Sequence, residues 1–234
     1  VVFAGTYWFE DDEGGEPWGI CPPYNDDFDV VWLAHMLMKR TGDPDFLLFE
    51  IEGKTIYERL QKAYAVPLCD SETGVVFTTP EARSVGFIFC DSVYMTGSLL
   101  MASLLRIRAS DHLADLAMSL GREDDAEFYI LQAKLGRKHI APVFAETGST
   151  KGWLRASTGI SSHTYVWGTI YAIWLQVLSH GDQQAARETI VSALEQGTIE
   201  FKGALRHIPL GRDASAVSAW ERTVTPHNRY QNGA

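Results

Sequence analysis

The sequence predicts an all-α fold in which helical hairpins form a toroid, and two observations carry this prediction. First, three pairs of helical segments are each joined by a short turn that contains Gly and an acidic residue. These turns are Thr41-Gly42-Asp43, Leu120-Gly121-Arg122-Glu123-Asp124 and His180-Gly181-Asp182. Second, the connections between pairs are long and loop-rich, and the turns are unevenly spaced, which favours a toroid over a regular solenoid.

The first predicted pair follows a Pro-Pro segment and an acidic cluster. Apolar residues at helical spacing cover 28–41, and Gly42 ends this helix. The next helix begins at Pro44, a residue favoured at the first helical position, and runs to about Tyr64. After it, the β-branched run at 75–79 predicts a small strand or hairpin.

The second and third pairs have strong helical patterns. The second consists of a helix within 93–120 and a partner that runs from Arg122 to about His139. The third consists of 161–179 and 183–196. The chain after these helices is predicted to be irregular.

Composition and charge exclude several classes of partner. The formal net charge of -10, without a basic stripe, excludes nucleic acid. No apolar run is long enough to span a bilayer, so no membrane partner is expected. Three cysteines lack the spacing of a zinc site, and the compartment and oligomeric state stay open. One catalytic domain is expected over 1–234, and the aromatic-rich ends predict a fragment of a longer protein.

The first candidate site is the acidic cluster at the start of the first helix. It contains Tyr24, Asp26 and Asp27. Neighbouring carboxylates can bind sugar hydroxyls or act as acid and base. Helix capping and the helix dipole explain the same residues without any function, so both interpretations stay open.

The second candidate is Asp91, which lies between an apolar run and a long helical pattern. Helix capping is the simpler explanation for a single Asp at such a place. However, a carboxylate flanked by Phe89 and Tyr94 would be partly desolvated. Desolvation would raise its pKa toward the value that a general acid needs.

The third candidate lies in the loop before the third helix pair. Trp153 is in a Gly-flanked loop, and His163 precedes a helix that contains Trp167. Trp and His side chains in this setting suit sugar stacking and hydrogen bonds to hydroxyls. Trp167 also shares helical spacing with Tyr171 and Trp174, which are both predicted to belong to the core.

The fourth candidate is a dense polar and aromatic cluster near the C-terminus. Loops that combine such groups are often binding sites, whereas a solvated loop is the alternative. The candidate residues are Trp220, Glu221, His227, Tyr230, Gln231 and Asn232.

Three segments of the chain resemble the six-hairpin glycosidases. The run from Asp26 to Leu33, followed by 39–47, is similar to their "DD…W…TGD…L" helix. The stretch 227–234 is similar to their "Y(H/Q)NG(G/A)" loop, and 113–133 fits their generic hairpin. The resemblance implies an (α/α)6 barrel with a carboxylate acid and a carboxylate base in its funnel.

Under this resemblance the chain is a glycoside hydrolase that acts on an oligosaccharide or polysaccharide. The "DWND" acid motif is absent, but Asp91 has a comparable place and is the candidate acid. Glu221, just ahead of the C-terminal loop, is the candidate base, and Asp27 belongs to the same catalytic set. No cofactor and no metal are implied, because carboxylates and water suffice. The residues expected to position the sugar are Trp153, Trp220, His163 and His227.

Other functions stay open on the same fold. A polysaccharide lyase or epimerase would use His163, His227 or Tyr230 as its base, and a phosphorylase is a further alternative. A non-catalytic helical module that binds carbohydrate or protein would instead have an extended groove without converging carboxylates.

Overall fold

Helices make up most of the part of the chain that the structure describes, which confirms the predicted all-α class. The computed structural model describes residues 24–79, 93–159 and 162–212, and the short strands at 7–8, 17–18 and 219–220. Its helices are α1 (Tyr24–Thr41), α2 (Ile56–Ala65), α3 (Leu100–Ser119), α4 (Glu123–Phe144), α5 (Val166–Trp174) and α6 (His180–Glu195). None of the described helices is long and apolar enough to cross a membrane.

Two-residue strands form small antiparallel pairs between and beside the helices. The strand predicted at 75–79 is present, but its partner lies beyond the following segment of the chain. The pairs are β1 (Tyr7–Trp8) with β2 (Pro17–Trp18), β3 (Glu50–Ile51) with β4 (Lys54–Thr55), β5 (Phe77–Thr78) with β7 (Gly97–Ser98), β6 (Val93–Tyr94) with β10 (Ala219–Trp220), and β8 (Glu200–Phe201) with β9 (Ala204–Leu205).

Helix α3 lies at the centre of the helical arrangement. It packs against α1, α4 and α5, and 14 of its 20 residues are buried. Leu104, Leu113 and Leu116 are fully excluded from solvent. Burying a leucine side chain stabilises a fold by about 1.5–3 kcal/mol, so α3 contributes much of the core. Helix α2 packs against α1, and α6 against α5, so the members of each predicted pair are in contact.

The first helix pair differs from the prediction of one continuous helix from Pro44 to Tyr64. A 3₁₀ turn at Asp45–Leu48 and the β3–β4 hairpin come before α2. Two residues with positive φ, Glu52 at 51° and Gly53 at 71°, form the turn of this hairpin. Helix α2 then begins after Thr55, which forms a reciprocal capping box with Glu58.

Helices α3 and α5 are shorter than predicted, whereas α4 continues past His139 to Phe144 and α6 begins earlier, at His180. Helix α3 starts at Leu100, because the preceding residues pair with β5 and Gly97 has a φ of 76°. The predicted break at His180-Gly181-Asp182 is instead the first turn of α6, which Ser179 caps. The prediction that Trp174 belongs to the core is wrong, since 64% of this side chain is exposed at the end of α5. The C-terminal tail, predicted to be irregular, contains the β8–β9 hairpin.

The long connections meet near the N-terminal ends of α3 and α5. Backbone bridges join Leu99 to Ser157 and Arg155 to Thr164. The amide of Leu100 donates to the carbonyl of Ala156 at 3.0 Å. These contacts, together with the β5–β7 pair, tie the connection before α3 to the connection before α5. Both segments that carry predicted site residues are therefore attached to the same part of the helical body.

Alanine substitutions at two helical glycines are expected to have different effects on stability. A Cβ at Gly168 in α5 would lie 2.4 Å from the Tyr165 ring and 2.6 Å from Leu100. A Cβ at Gly181 in α6 would meet nothing within 4 Å. We expect Gly168→Ala to destabilise the protein by about 1–3 kcal/mol through overpacking. Gly181→Ala is expected to be neutral or to stabilise it by up to about 1 kcal/mol. Urea unfolding of both variants measures the difference, and equal effects would contradict this account of α5 packing.

Candidate functional site

Asp27 is a completely buried carboxyl in the first turn of α1. It belongs to the buried stripe of this helix, together with Tyr24, Phe28 and Val31. Its exposed fraction is 0%, and neither carboxyl oxygen has a hydrogen-bond partner among the described residues. Burial, with a smaller contribution from the negative charge of Asp26, raises the pKa of Asp27 to about 7.

This environment is not that of a helix cap. A capping carboxylate accepts hydrogen bonds from backbone amides and is stabilised in its charged form by the helix dipole. Asp27 lacks such bonds within the described chain, and its pKa is raised and not lowered. A carboxyl with this pKa carries its proton about half of the time at neutral pH, as a general acid requires.

Asn25 is a second polar residue at this end of α1 that lacks a hydrogen bond. It is buried, and its Oδ1 atom has no hydrogen-bond partner among the described residues. Buried polar atoms are almost always paired in folded proteins. Asn25 and Asp27 therefore place three unpaired oxygen atoms at the start of α1, counted within the described chain. Tyr24 is buried beside them, and Asp26 is exposed.

Arg108 is a residue of this region that the sequence did not single out. Its Nη2 atom lies 2.5 Å from Oδ1 of Asp29, and its Nη1 atom donates to the Tyr171 hydroxyl at 2.6 Å. Its guanidinium is 5.1 Å from the centre of the Trp32 ring. Arg108 thereby joins α3 to the first half of α1 and to α5. An Arg within a leucine-rich helix is the only sequence signal that pointed to it.

Trp153 lies in a tightly packed part of its loop. Only 4% of the residue is exposed, and it packs in a small core with Val166, Ala193 and Ile199. The guanidinium of Arg212 lies 5.6 Å from the centre of its ring. Trp153 also borders a cleft of about 280 Å³ between the end of α4 and the start of α6. The cleft walls include Ala145, Glu146, Trp153, Leu178, Asp182 and Ala185.

His163 and Trp167 belong to a cluster of stacked rings. Trp167 stacks on His207 with ring centres 4.8 Å apart, and His163 meets Tyr165 edge to face. Burial lowers the pKa of His163 to about 3 and that of His207 to about 4. Both imidazoles are neutral at physiological pH. A base with a pKa near 3 is too weak to abstract a proton from carbon, so His163 does not suit the role that a lyase or epimerase would require.

Most of the remaining predicted residues lie outside the described residues. These are Asp91, Glu221, His227, Tyr230, Gln231 and Asn232, and Trp220 is described only as part of a backbone strand. The β6–β10 pair does place Trp220 opposite Val93. Asp91 precedes this pair by two residues and Glu221 follows it directly. The two strand ends next to the candidate acid and base are therefore neighbours.

No model of a known protein family matches this chain, and no curated protein shows significant similarity to it. The site must therefore be interpreted from its own chemistry. Within 24–79, 95–159 and 162–212, no group of three or more His, Cys, Asp and Glu side chains could hold a metal ion. The chemistry of the described region is that of a buried acid, neutral imidazoles and aromatic rings.

Proposed function

We propose that this chain is the catalytic part of a glycoside hydrolase that cleaves a glycosidic bond by carboxylate acid/base catalysis. The buried, unpaired carboxyl of Asp27, with its pKa of about 7, is the observation that carries the proposal. A general acid must hold a proton at the working pH and release it to the leaving oxygen, and a pKa near 7 serves both needs.

In the proposed mechanism two carboxyl groups act on opposite sides of the glycosidic bond. Asp27 protonates the leaving oxygen, and the Glu221 carboxylate takes a proton from the attacking water. Asp91 is the second candidate for the acid. The β6–β10 pair supports a shared site for Asp91 and Glu221, because the strand ends beside them are paired.

The proposed substrate is an oligosaccharide or polysaccharide. Sugars present apolar C–H faces and many hydroxyl groups, so aromatic rings together with uncharged polar groups suit them. Trp167, which is half-buried and stacked on His207, is such a ring near the start of α5. Trp153 is buried but borders the cleft of about 280 Å³, and His163 is buried against Tyr165. The low pKa of His163 keeps its imidazole neutral, which suits a hydrogen-bonding role. The other candidate bases of a lyase or epimerase, His227 and Tyr230, lie outside the described residues.

The proposed architecture is a ring of helical hairpins, of which this chain supplies the pairs around α3. Helix α3 is enclosed between α1 and α5. By contrast, α1 presents Trp32, Leu33 and Met36 to solvent, and α5 presents Trp174. Exposed apolar side chains on the outer helices of an arrangement are what further hairpins would cover.

Hydrolysis assays on aryl glycosides and natural oligosaccharides, with variants of Asp27, Asp91 and Glu221, test the proposed function. We expect Glu221→Gln and Asp27→Asn each to lower kcat by about 100-fold or more, and Asp91→Asn to do so in place of Asp27→Asn only if Asp91 is the acid. The activity lost by removing the acid should largely return on substrates whose aryl leaving group has a low pKa, because such a group leaves without a proton. The activity lost in Glu221→Gln should return when azide is added, because this anion attacks without the help of a base.

Two outcomes would contradict the proposed function. One is a wild-type protein that hydrolyses no glycoside in the panel. The other is unchanged turnover in Glu221→Gln, Asp91→Asn and Asp27→Asn alike. Asp124→Asn is the matched control, because Asp124 is an exposed aspartate in the first turn of α4, outside the proposed site.

A further inference from the structure

Arg108 occupies a junction of three helices. From α3 it contacts Asp29 and Trp32 on α1 and Tyr171 on α5. Its side chain is only 11% exposed, whereas that of its ion-pair partner Asp29 is 40% exposed, so the guanidinium lies mostly inside the fold while the carboxylate reaches solvent. Hydrogen bonds between an Arg and a carboxylate are among the strongest in proteins, and their fixed geometry restrains both partners.

No hydrogen bond of its own fixes the position of the Asp27 carboxyl. It makes no hydrogen bond within the described chain, so its position depends on how the first turns of α1 are packed. Asp29 lies two residues after Asp27, and Trp32 one turn further along the helix. Restraining Asp29 and Trp32 therefore restrains the segment of α1 that carries Asp27.

We infer that Arg108 is a positioning residue that fixes the first turns of α1 against α3 and α5 and so holds the Asp27 carboxyl in its buried place. The catalytic meaning of this position rests on the proposed function. The position itself does not, since it follows from contacts of Arg108, Asp29, Trp32 and Tyr171.

Carbon-13 NMR of labelled aspartate carboxyls measures the position directly. The titration midpoint of Asp27 is assigned by its loss in Asp27→Asn and is then followed in Arg108→Met, Asp29→Asn and Tyr171→Phe. Arg108→Met keeps the apolar stem of the side chain but removes the guanidinium. Asp29→Asn and Tyr171→Phe each weaken one contact of Arg108 and leave Arg108 itself in place. Arg137→Met is the matched control, because Arg137 on α4 forms a doubly hydrogen-bonded pair with Asp111 on α3, the helix that carries Arg108.

The direction in which the Asp27 titration midpoint moves in Arg108→Met shows whether Arg108 acts by fixing the position of α1 or only by its positive charge. If α1 loosens, water reaches Asp27 and its midpoint falls toward the ordinary range, and we expect a fall of at least one pH unit in Arg108→Met. If Arg108 acted only through its positive charge, removing it would raise the midpoint. Among the described residues, the charged and titratable groups around this part of α1 are Asp26, Asp29, Arg108 and Tyr171, together with Tyr24 on the same turn and Tyr64 of α2 against Phe28.

Kinetics on a cleavable glycoside provide the second readout. We expect kcat to fall at least tenfold in Arg108→Met with KM changed less than threefold, and smaller losses in Tyr171→Phe. An unchanged or raised Asp27 midpoint in Arg108→Met overturns the inference, as does an equal fall in Arg137→Met. If the wild-type protein has no glycosidase activity, the proposed function fails while the NMR comparison still decides the positioning role.

Discussion

Replacing Asp27 by asparagine is expected to lower the rate of glycoside hydrolysis by about 100-fold to 10,000-fold, the range for loss of a general acid. Asparagine has almost the same shape as aspartic acid but has no acidic proton to donate. Because neither oxygen of Asp27 takes part in a described hydrogen bond, the substitution breaks no hydrogen bond in that part of the chain. The loss should therefore appear in catalysis and not in folding.

Steady-state kinetics on substrates with different leaving groups measure this effect. The loss in Asp27→Asn should be large for alkyl glycosides and small for aryl glycosides with an acidic phenol, because the acidic phenol leaves without a proton. The same series run on Asp124→Asn should show no loss. Equal losses for all leaving groups would exclude Asp27 as the acid, even if total activity fell.

The second large effect is on stability and its dependence on pH. The pKa of Asp27 is about 7 in the folded protein and 3.8 as the ordinary value of the group. Between these values the unfolded chain has lost this proton while the folded protein still holds it. Stability therefore falls as pH rises from about 4 to 7, by on the order of 4 kcal/mol from this group alone.

Asp27→Asn removes this penalty, because asparagine does not ionise. We expect the variant and the wild type to be equally stable near pH 4 and the variant to be more stable above pH 7. Urea unfolding of both proteins at several pH values measures the difference, in which the other titrating groups cancel. A variant that is less stable than the wild type at pH 8 would show that the Asp27 carboxylate is stabilised in the fold.

A protein that gains stability and loses activity on the same substitution has a group that was retained for function. The two predictions for Asp27 thus support each other. Loss of activity through misfolding would be accompanied by lower stability at pH 8, whereas loss of the acid would not.

The sequence predicted the helix pairs well where the turn chemistry is local. Gly42 and Gly121 both have positive φ and end their helices, as the pattern indicated. The β3–β4 hairpin was missed because its flanking residues suit a helix, although Glu52-Gly53 is a turn signal. Gly181 was misread because a glycine in the first turn of a helix looks the same in sequence as a glycine after its end.

The site was only partly accessible to sequence reasoning. The acidic cluster stood out, but it forms the first turn of α1, which begins at Tyr24 and not at the predicted Phe28. Nothing local distinguishes Asp27, which is buried, from Asp26, which is exposed. That distinction arises from packing against elements distant in sequence. Arg108 was missed for the same reason, because its partners Asp29 and Tyr171 come close only in the folded chain.

The most direct test of the central claim is the titration of the Asp27 carboxyl in the wild-type protein by carbon-13 NMR. A midpoint near pH 7 that disappears in Asp27→Asn is the predicted result, and it would identify a buried acid that is protonated at neutral pH. A protein in which every aspartate titrates below pH 5 would contradict it.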